Sequence, residues 1–373
     1  MTRATTALAA GGLALILAGT AGMLAIRGQS MGAAPVTVRF AAVTGTGGDD
    51  VFPGKSWAKV ARPGEAGWSE DKLDDAFRFA DRIGSGAILI VQHGVVVASW
   101  GDVGRTYDVF SVRKSLLHAL LGTLVGSGEL DLDRSLGDLG IDDKGGLSPS
   151  ELQARVRDLL TSRSGVYHPA AYEARDNARS RPSRGSHRPG EFFYYNNWDF
   201  NVLGTIYERV AHGRIFDDFQ ARVAAPLGME DFSVAETAYV REASSDHPAY
   251  VFRMTARDLA RFGLLYLRHG RWRDLEIVPA SWIESSTVSH VKDAQPFSDY
   301  GYLWWVYPRW SGHLYGASGK GNQKVLVWPG RDIVLVHLAK TKLWGLLGSE
   351  VGSVDFWNLM NRIAAAAPSD SSR

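Results

Sequence analysis

The chain has 373 residues, 45% of them hydrophobic and 11% aromatic, which is ample for a sizeable core in one large domain or two medium ones. A formal net charge of +1 gives no reason to expect nucleic acid or a strongly charged partner. The absence of cysteine excludes disulfides, thiolate metal sites, cysteine nucleophiles and cysteine lipidation.

Arg3 precedes "ALAAGGLALILAGTAGMLAI" (Ala7 to Ile26), twenty residues without a charge. That is long for the apolar core of a signal peptide and about right for one membrane span, although it is rich in Ala and Gly. Residues 1–27 therefore read as a signal peptide or a signal-anchor segment. The expected location is extracytoplasmic (periplasmic), with the protein either anchored by this segment or released after cleavage. Membrane contact is expected only through that segment, if it is uncleaved. Residues 28–67, with Gly, Pro and few periodic apolar positions, read as a linker and irregular lead-in.

"SEDKLDDAFRFADRIG" predicts a helix capped by Ser69, with Leu73, Phe77 and Ala80 at helical spacing. "GAILIVQHGVVVASWG" predicts two apolar strands joined at His93-Gly94. Helical patterns follow in the segment after Ser111, in "ELQARVRDLLT", "FNVLGTIYERVAHG" and "TARDLARFGLLYLRHG". Between them "EARDNARSRPSRGSHRPG" (Glu173 to Gly190) is a basic loop, read as solvated surface or, more sharply, as a gate over a pocket. "KVLVWPGRDIVLVHLA" predicts two more strands around a Pro-Gly turn, "VDFWNLMNRIAAAA" a last helix, and residues 366–373 a disordered tail. Strands near both ends with helices between them point to a discontinuous α/β part drawn from both ends and an inserted, mostly helical part at about 115–270.

The pattern Ser-x-x-Lys occurs four times, at Ser56/Lys59, Ser69/Lys72, Ser111/Lys114 and Ser289/Lys292. Three have plain structural readings: a loop, a helix cap and a polar segment. Ser111 differs, because "YDVF" leads into an unusually apolar helix bearing Leu116, Leu117, Leu120, Leu121 and Leu124. Residues three apart share a helix face, so Lys114 would lie beside Ser111 in an apolar setting that lowers its pKa. A neutral amine beside a hydroxyl is a general base. The competing reading makes Ser111 a cap and lets Lys114 reach water.

Two further elements bear on that choice. "RPGEFFYYNNWDFNVLG" places Tyr195 and Asn197 at a helix entrance, where a phenol and an amide can serve proton transfer and binding; capped helix and core aromatics are the alternative. "YGASGKGNQKVLVWP" places small residues just before a strand, where a ligand could approach the backbone closely. Ser111-x-x-Lys114, Tyr195-x-Asn197 and this Gly-rich strand entry, in that order, resemble the serine β-lactamase and penicillin-binding-protein superfamily. The likeness is to its β-lactamase-related branch, with class C enzymes, family VIII esterases and 6-aminohexanoate-dimer hydrolases. "LLTSRSGVYHPA", "PGEFFYYNN", "VPASWI" and "YGYLWWV" support it, over roughly Ala87 to Ala339.

The resemblance implies a β-lactamase/transpeptidase-like α/β (α+β) fold over residues 68–365, an antiparallel sheet flanked by helices. It implies Ser111 as acylated nucleophile, Lys114 as base and Tyr195 as proton shuttle, without metal or cofactor. Asn197 would contact substrate or orient the lysine; Ser318, Gly319 and Lys320 would form the substrate-binding edge. The oxyanion hole would combine the Ser111 N–H with one from the strand near Lys320.

One departure matters. Where the superfamily carries Lys-Thr-Gly, this chain has Ala317-Ser318-Gly319, with Lys320 one position beyond. Recognition of a substrate carboxylate at that position would be weakened, which favours a small carboxylester or linear amide over a β-lactam. Gln323 is read as a strand-edge surface residue or a polar substrate contact, and His118 as part of the core or its rim. The alternatives are a D-alanyl-D-alanine carboxypeptidase or β-lactamase, and, in another class, a non-catalytic module binding cell-wall peptide or protein.

Overall fold

In the computed structural model the described residues are 24–27, 41–42, 50–340 and 351–368. Helix α1 (Glu70–Ile83) buries Leu73, Ala76 and Ala80 and stops at Gly84, whose φ of 86° lets the chain turn back. Ser69 occupies the cap position but its hydroxyl makes no capping bond. Strands β1 (Ser85–Gln92) and β2 (Val95–Gly101) then form the expected hairpin, with His93 and Gly94 both at positive φ as a tight two-residue turn demands.

Helix α2 (Val112–Gly126) follows, nearly every residue buried. α3 (Asn197–Ala211) and α4 (Ala256–Leu267) match two of the predicted helices. "ELQARVRDLLT" differs: Glu151–Gln153 form one 3-10 turn and Val156–Leu160 a short helix. The capping pair Arg155/Asp158 restarts the helix there, and Asp158 accepts from the Arg155 N–H at 2.8 Å. The basic loop holds a five-residue helix, Arg175–Arg179, and is tied down by Arg184 on Glu151 and Arg181 on Glu173.

The later strands are β3 (Val291–Gln295), β4 (Ser298–Tyr300), β5 (Trp305–Val306), β6 (Tyr315–Gly319), β7 (Gln323–Trp328) and β8 (Ile333–Ala339). With the first hairpin they make one eight-stranded antiparallel sheet in the order β3-β4-β5-β6-β7-β8-β1-β2. β1, β7 and β8 are buried along almost their whole length because helices cover both faces: α4 packs on β7 and β8, and α1 packs with α5 (Ser353–Ala366). α2 lies against β6, which brings the Ser111 helix to the strand carrying Ser318 and Gly319.

Several expectations are corrected by this packing. Gln323 is fully buried and exchanges two bonds with the backbone of Ala339, so it is neither a surface residue nor a free substrate contact. Helix α5 includes Ala366, which the sequence assigned to a disordered tail; residues 369–373 lie outside the described residues. The lead-in is docked where it is described: Trp57 is buried, and Val60 and Ala58 pair with Val96. Of the Ala7–Ile26 stretch, Leu24–Ile26 alone is described, within a short strand, Leu24–Arg27, that pairs with Thr237–Arg241. Among the described residues no helix is long and apolar enough to cross a membrane.

Candidate active site

The approach to Ser111 is set by its neighbours. Tyr107–Asp108 pairs with Ala249–Met254, and the Val109 N–H donates to the Phe252 carbonyl at 3.3 Å. Phe110 then adopts φ 47°, the left-handed region that a bulky aromatic residue rarely enters. That kink delivers Ser111 in helical geometry at the head of α2, where the next three N–H groups fold back on Val109, Phe110 and Ser111 carbonyls. Strained backbone of this kind recurs at functional sites, where surrounding packing sustains it.

The Ser111 hydroxyl accepts no capping bond. Instead Lys114 Nζ lies 2.7 Å from Ser111 Oγ. Of the four Ser-x-x-Lys pairs this is the one whose side chains bond each other among the described residues; Lys72 reaches the Ala365 carbonyl and Ser289 reaches Asp299. Lys114 is 1% exposed, and burial, aided by the neighbouring Arg113 cation, pulls its pKa well below the usual lysine value. The faces of Tyr195 and Phe200, 4.6 and 4.5 Å from Nζ, act the other way by favouring the ammonium. Such contacts give at most about 2 kcal/mol, whereas burying an ion unpaired costs several kcal/mol. Burial wins, and no carboxylate pairs with Lys114 among the described residues. The amine can therefore receive the proton of the hydroxyl it touches.

Tyr195 is held by a frame from another part of the chain. Ser162, itself at φ 54°, donates through Oγ to the Tyr194 carbonyl at 2.8 Å and accepts from the Asn196 N–H at 3.3 Å. Asn177 donates to the Tyr195 carbonyl at 3.0 Å. Burial pushes the Tyr195 phenol up to about 12, and a side-chain hydrogen bond with Ser111 acts in the opposite direction. At neutral pH the phenol is protonated and can donate. Asn197, by contrast, gives its amide to the Tyr172 carbonyl and makes no bond to Lys114. Asn201, one turn further along α3, accepts from Arg113 at 2.9 Å and so supports the Ser111 helix.

The strand edge is close. A Cβ added at Gly319 would stand 2.3 Å from the Val109 carbonyl and 3.2 Å from Ser111 N, so β6 reaches Ser111 because this residue has no side chain. The Ser111 N–H donates to no backbone carbonyl among the described residues. Gly319→Ala should push β6 away from Ser111, because the added Cβ meets the Val109 carbonyl, and lower kcat/KM by about 100-fold, as the loss of one oxyanion contact does; steady-state kinetics with thermal melting will separate this from unfolding.

Beyond Gly319 opens a cleft of about 960 Å³ whose walls include Ser318, Lys320, Tyr307, Trp305 and Trp357. Lys320 is exposed on the turn Lys320–Asn322. Ser318 Oγ accepts from Lys324 Nζ at 2.7 Å. Sequence reasoning missed Lys324, although a single charge inside the apolar run "KVLVW" was a visible anomaly. His118 is a core residue, bonded to the Tyr266 hydroxyl and stacked on Trp282. Among the described residues no group of His, Asp and Glu could hold a metal ion.

The family model described as beta-lactamase matches residues 71–346. The chain belongs to the beta-lactamase family. Within this family it is 25% identical over 301 residues to a 6-aminohexanoate-dimer hydrolase from Paenarthrobacter ureafaciens, covering 72% of this chain and 76% of that one. Among solved structures, a penicillin-binding protein from Bacillus halodurans superposes with a TM-score of 0.57 at 20% identity, over 78% of this chain and 98% of that one. A class C beta-lactamase gives 0.58 at 13% identity, over 81% and 97%. These two likenesses establish the fold: an antiparallel sheet flanked by helices.

Proposed function

We propose that this member of the beta-lactamase family is a serine hydrolase that cleaves an ester or amide through an acyl-enzyme on Ser111. The observation that carries the reading is the 2.7 Å contact between Ser111 Oγ and a buried Lys114 amine. Lys114 takes the hydroxyl proton as Oγ bonds to the substrate carbonyl carbon, and the resulting oxyanion meets the Ser111 N–H and an N–H of the strand edge near Lys320. Tyr195 donates its phenolic proton to the departing alkoxide or amine and is reprotonated from Lys114. In deacylation the same groups run in reverse, with water as the attacking group.

The substrate is proposed to be a small carboxylester or linear amide rather than a β-lactam, and the protein to act outside the cytoplasm. The experiment is intact-protein mass after incubation with an activated short-chain ester and, separately, a β-lactam, on wild type and Ser111→Ala. An adduct on the wild type alone supports the reading, and its decay rate ranks ester against lactam. No adduct on folded wild type would overturn it in favour of a binding module. Tyr195→Phe tests the shuttle: the loss in kcat should be about 100-fold or more for an alkyl amide and clearly smaller for a 4-nitrophenyl ester, whose leaving group needs no proton. An equal loss for both leaving groups would remove Tyr195 from that role.

A further inference from the structure

Lys114 shares the head of α2 with a second buried cation. Arg113, its neighbour in the chain, is 1% exposed. The Arg113 guanidinium donates to Asn201 Oδ1 on α3 at 2.9 Å and lies over the Tyr250 ring, 4.4 Å from its centroid. Its Nη1 has no hydrogen-bond partner among the described residues, and no carboxylate there pairs with it. Side chains at successive helix positions point in different directions. These two nevertheless end on neighbouring residues of α3: Lys114 over the Phe200 ring at 4.5 Å, Arg113 on Asn201. The Tyr250 hydroxyl donates to the Phe200 carbonyl at 3.1 Å, which ties the ring under Arg113 to the residue under Lys114.

Two buried cations without a counter-ion repel each other, and burial penalises the charge on both. Only one of them can yield. A guanidinium keeps its proton in proteins, whereas a buried ammonium releases one. We infer that Arg113, an x position of the Ser-x-x-Lys motif, is a positioning residue whose fixed charge holds Lys114 in the neutral form that accepts the Ser111 proton. The inference rests on the acyl-enzyme reading and deepens it. The same charge disfavours the ammonium that forms as Ser111 Oγ bonds to the carbonyl carbon, so the proton moves on to the leaving group through Tyr195. Asn201 fixes the guanidinium through a neutral amide oxygen, which leaves its charge uncancelled.

The other titratable groups on elements packed against α2 have partners of their own or are neutral. On α3, Asp199 is bonded to Ser164 and raised by burial to about 8, and Glu208 takes the Tyr239 hydroxyl. Asp217 and Asp218, on the short helix Ile215–Phe219, pair with Arg214 and Arg222. Arg253, on the strand Ala249–Met254, pairs with Asp108 and Glu236. Glu284, on the helix Ala280–Ser286, pairs with His269, and Lys324 on β7 donates to Ser318. Burial lowers His118 on α2 itself and raises the phenols of Tyr195, Tyr250 and Tyr315, so all four are neutral at neutral pH. Arg113 is the charge left to act on Lys114, and it adds to burial in lowering the amine.

Carbon-13 labelling at lysine Cε lets NMR read the protonation of Lys114 directly, its resonance assigned with Lys114→Met. In wild type the midpoint should lie well below the ordinary lysine range; a midpoint within that range overturns the inference without any variant. Arg113→Gln removes the charge. Asn201→Asp keeps Arg113 and sets a carboxylate on it, giving up the Asn201 bond to the Ala171 carbonyl. Each should raise the Lys114 midpoint by at least about one pH unit, a tenfold change in proton affinity. The acid limb of acylation by phenyl acetate should move up with it, because the neutral amine is then lost at higher pH. A midpoint that stays in place in either folded variant, with rate lost equally at every pH, makes Arg113 a mere tether between α2 and α3 and overturns the inference. Should Arg113→Gln not fold, Asn201→Asp decides, since Arg113 is still there. Wild type that forms no acyl adduct with phenyl acetate sinks the acyl-enzyme reading instead, and the NMR titration still decides what Arg113 does to Lys114.

Discussion

Ser111→Ala is expected to abolish turnover, lowering kcat by about 10⁴-fold or more, while leaving the protein as stable as before within about 0.5 kcal/mol. The first half follows from the loss of the atom that is acylated. The second half discriminates between readings. A serine that capped α2 would cost about 1 kcal/mol on replacement by alanine, but this hydroxyl makes no capping bond and meets Lys114 instead. Mass spectrometry for the acyl adduct and a thermal melt decide the matter together. Lost activity with an unchanged melt identifies a nucleophile; retained activity with a lowered melt identifies a cap.

Lys114→Met should lower the rate of acylation by about 10³-fold or more and leave stability unchanged or raised. The amine is buried against Tyr195 and Phe200 and pairs with no carboxylate among the described residues, so a thioether chain of similar length removes a burial cost without opening a cavity. The pH profile of the wild type carries the same information. The pKa of Lys114 is depressed, so the active amine is present above that value and activity is lost as pH falls through it; the acid limb therefore lies well below the usual lysine range. Tyr195, raised to about 12, stays protonated across neutral pH and contributes no limb there. Lys114→Arg should not rescue, because a guanidinium does not give up its proton near neutrality. Stopped-flow acylation of the three proteins is the measurement, and an unaltered acid limb in Lys114→Met would exclude the lysine as the base.

The two residues differ in how they were legible. Ser111 and Lys114 stood in a pattern that also occurs at three other places, and only the apolar run behind them marked this copy. That mark is physical: a lysine in a helix with no polar face must be buried, and α2 buries it. Tyr195 was legible by its place in the order of motifs. The frame that holds it was not, since Ser162, Asn177 and Tyr194 lie up to about thirty positions apart and meet through backbone carbonyls that any residue could supply. The helix cap assigned to Ser69 and the single helix assigned to "ELQARVRDLLT" came from local preference; Ser69 stands at the cap position without a capping bond, and the Arg155/Asp158 pair restarts the second helix.

By itself the sequence determined the strands and helices with strong periodicity and the absence of thiol chemistry. Each of these depends on residues near one another in the chain, or on composition. The tertiary structure alone decided which Ser-x-x-Lys pair closes to 2.7 Å, that Gly319 lies against Ser111 N, and that Gln323 is locked onto Ala339. It also decided that Lys324 stands beside Ser318 across two strands. Register between strands is set by the packing of whole faces, and a shift of one residue would turn Lys324 away from the cleft. No spacing along the chain encodes that register.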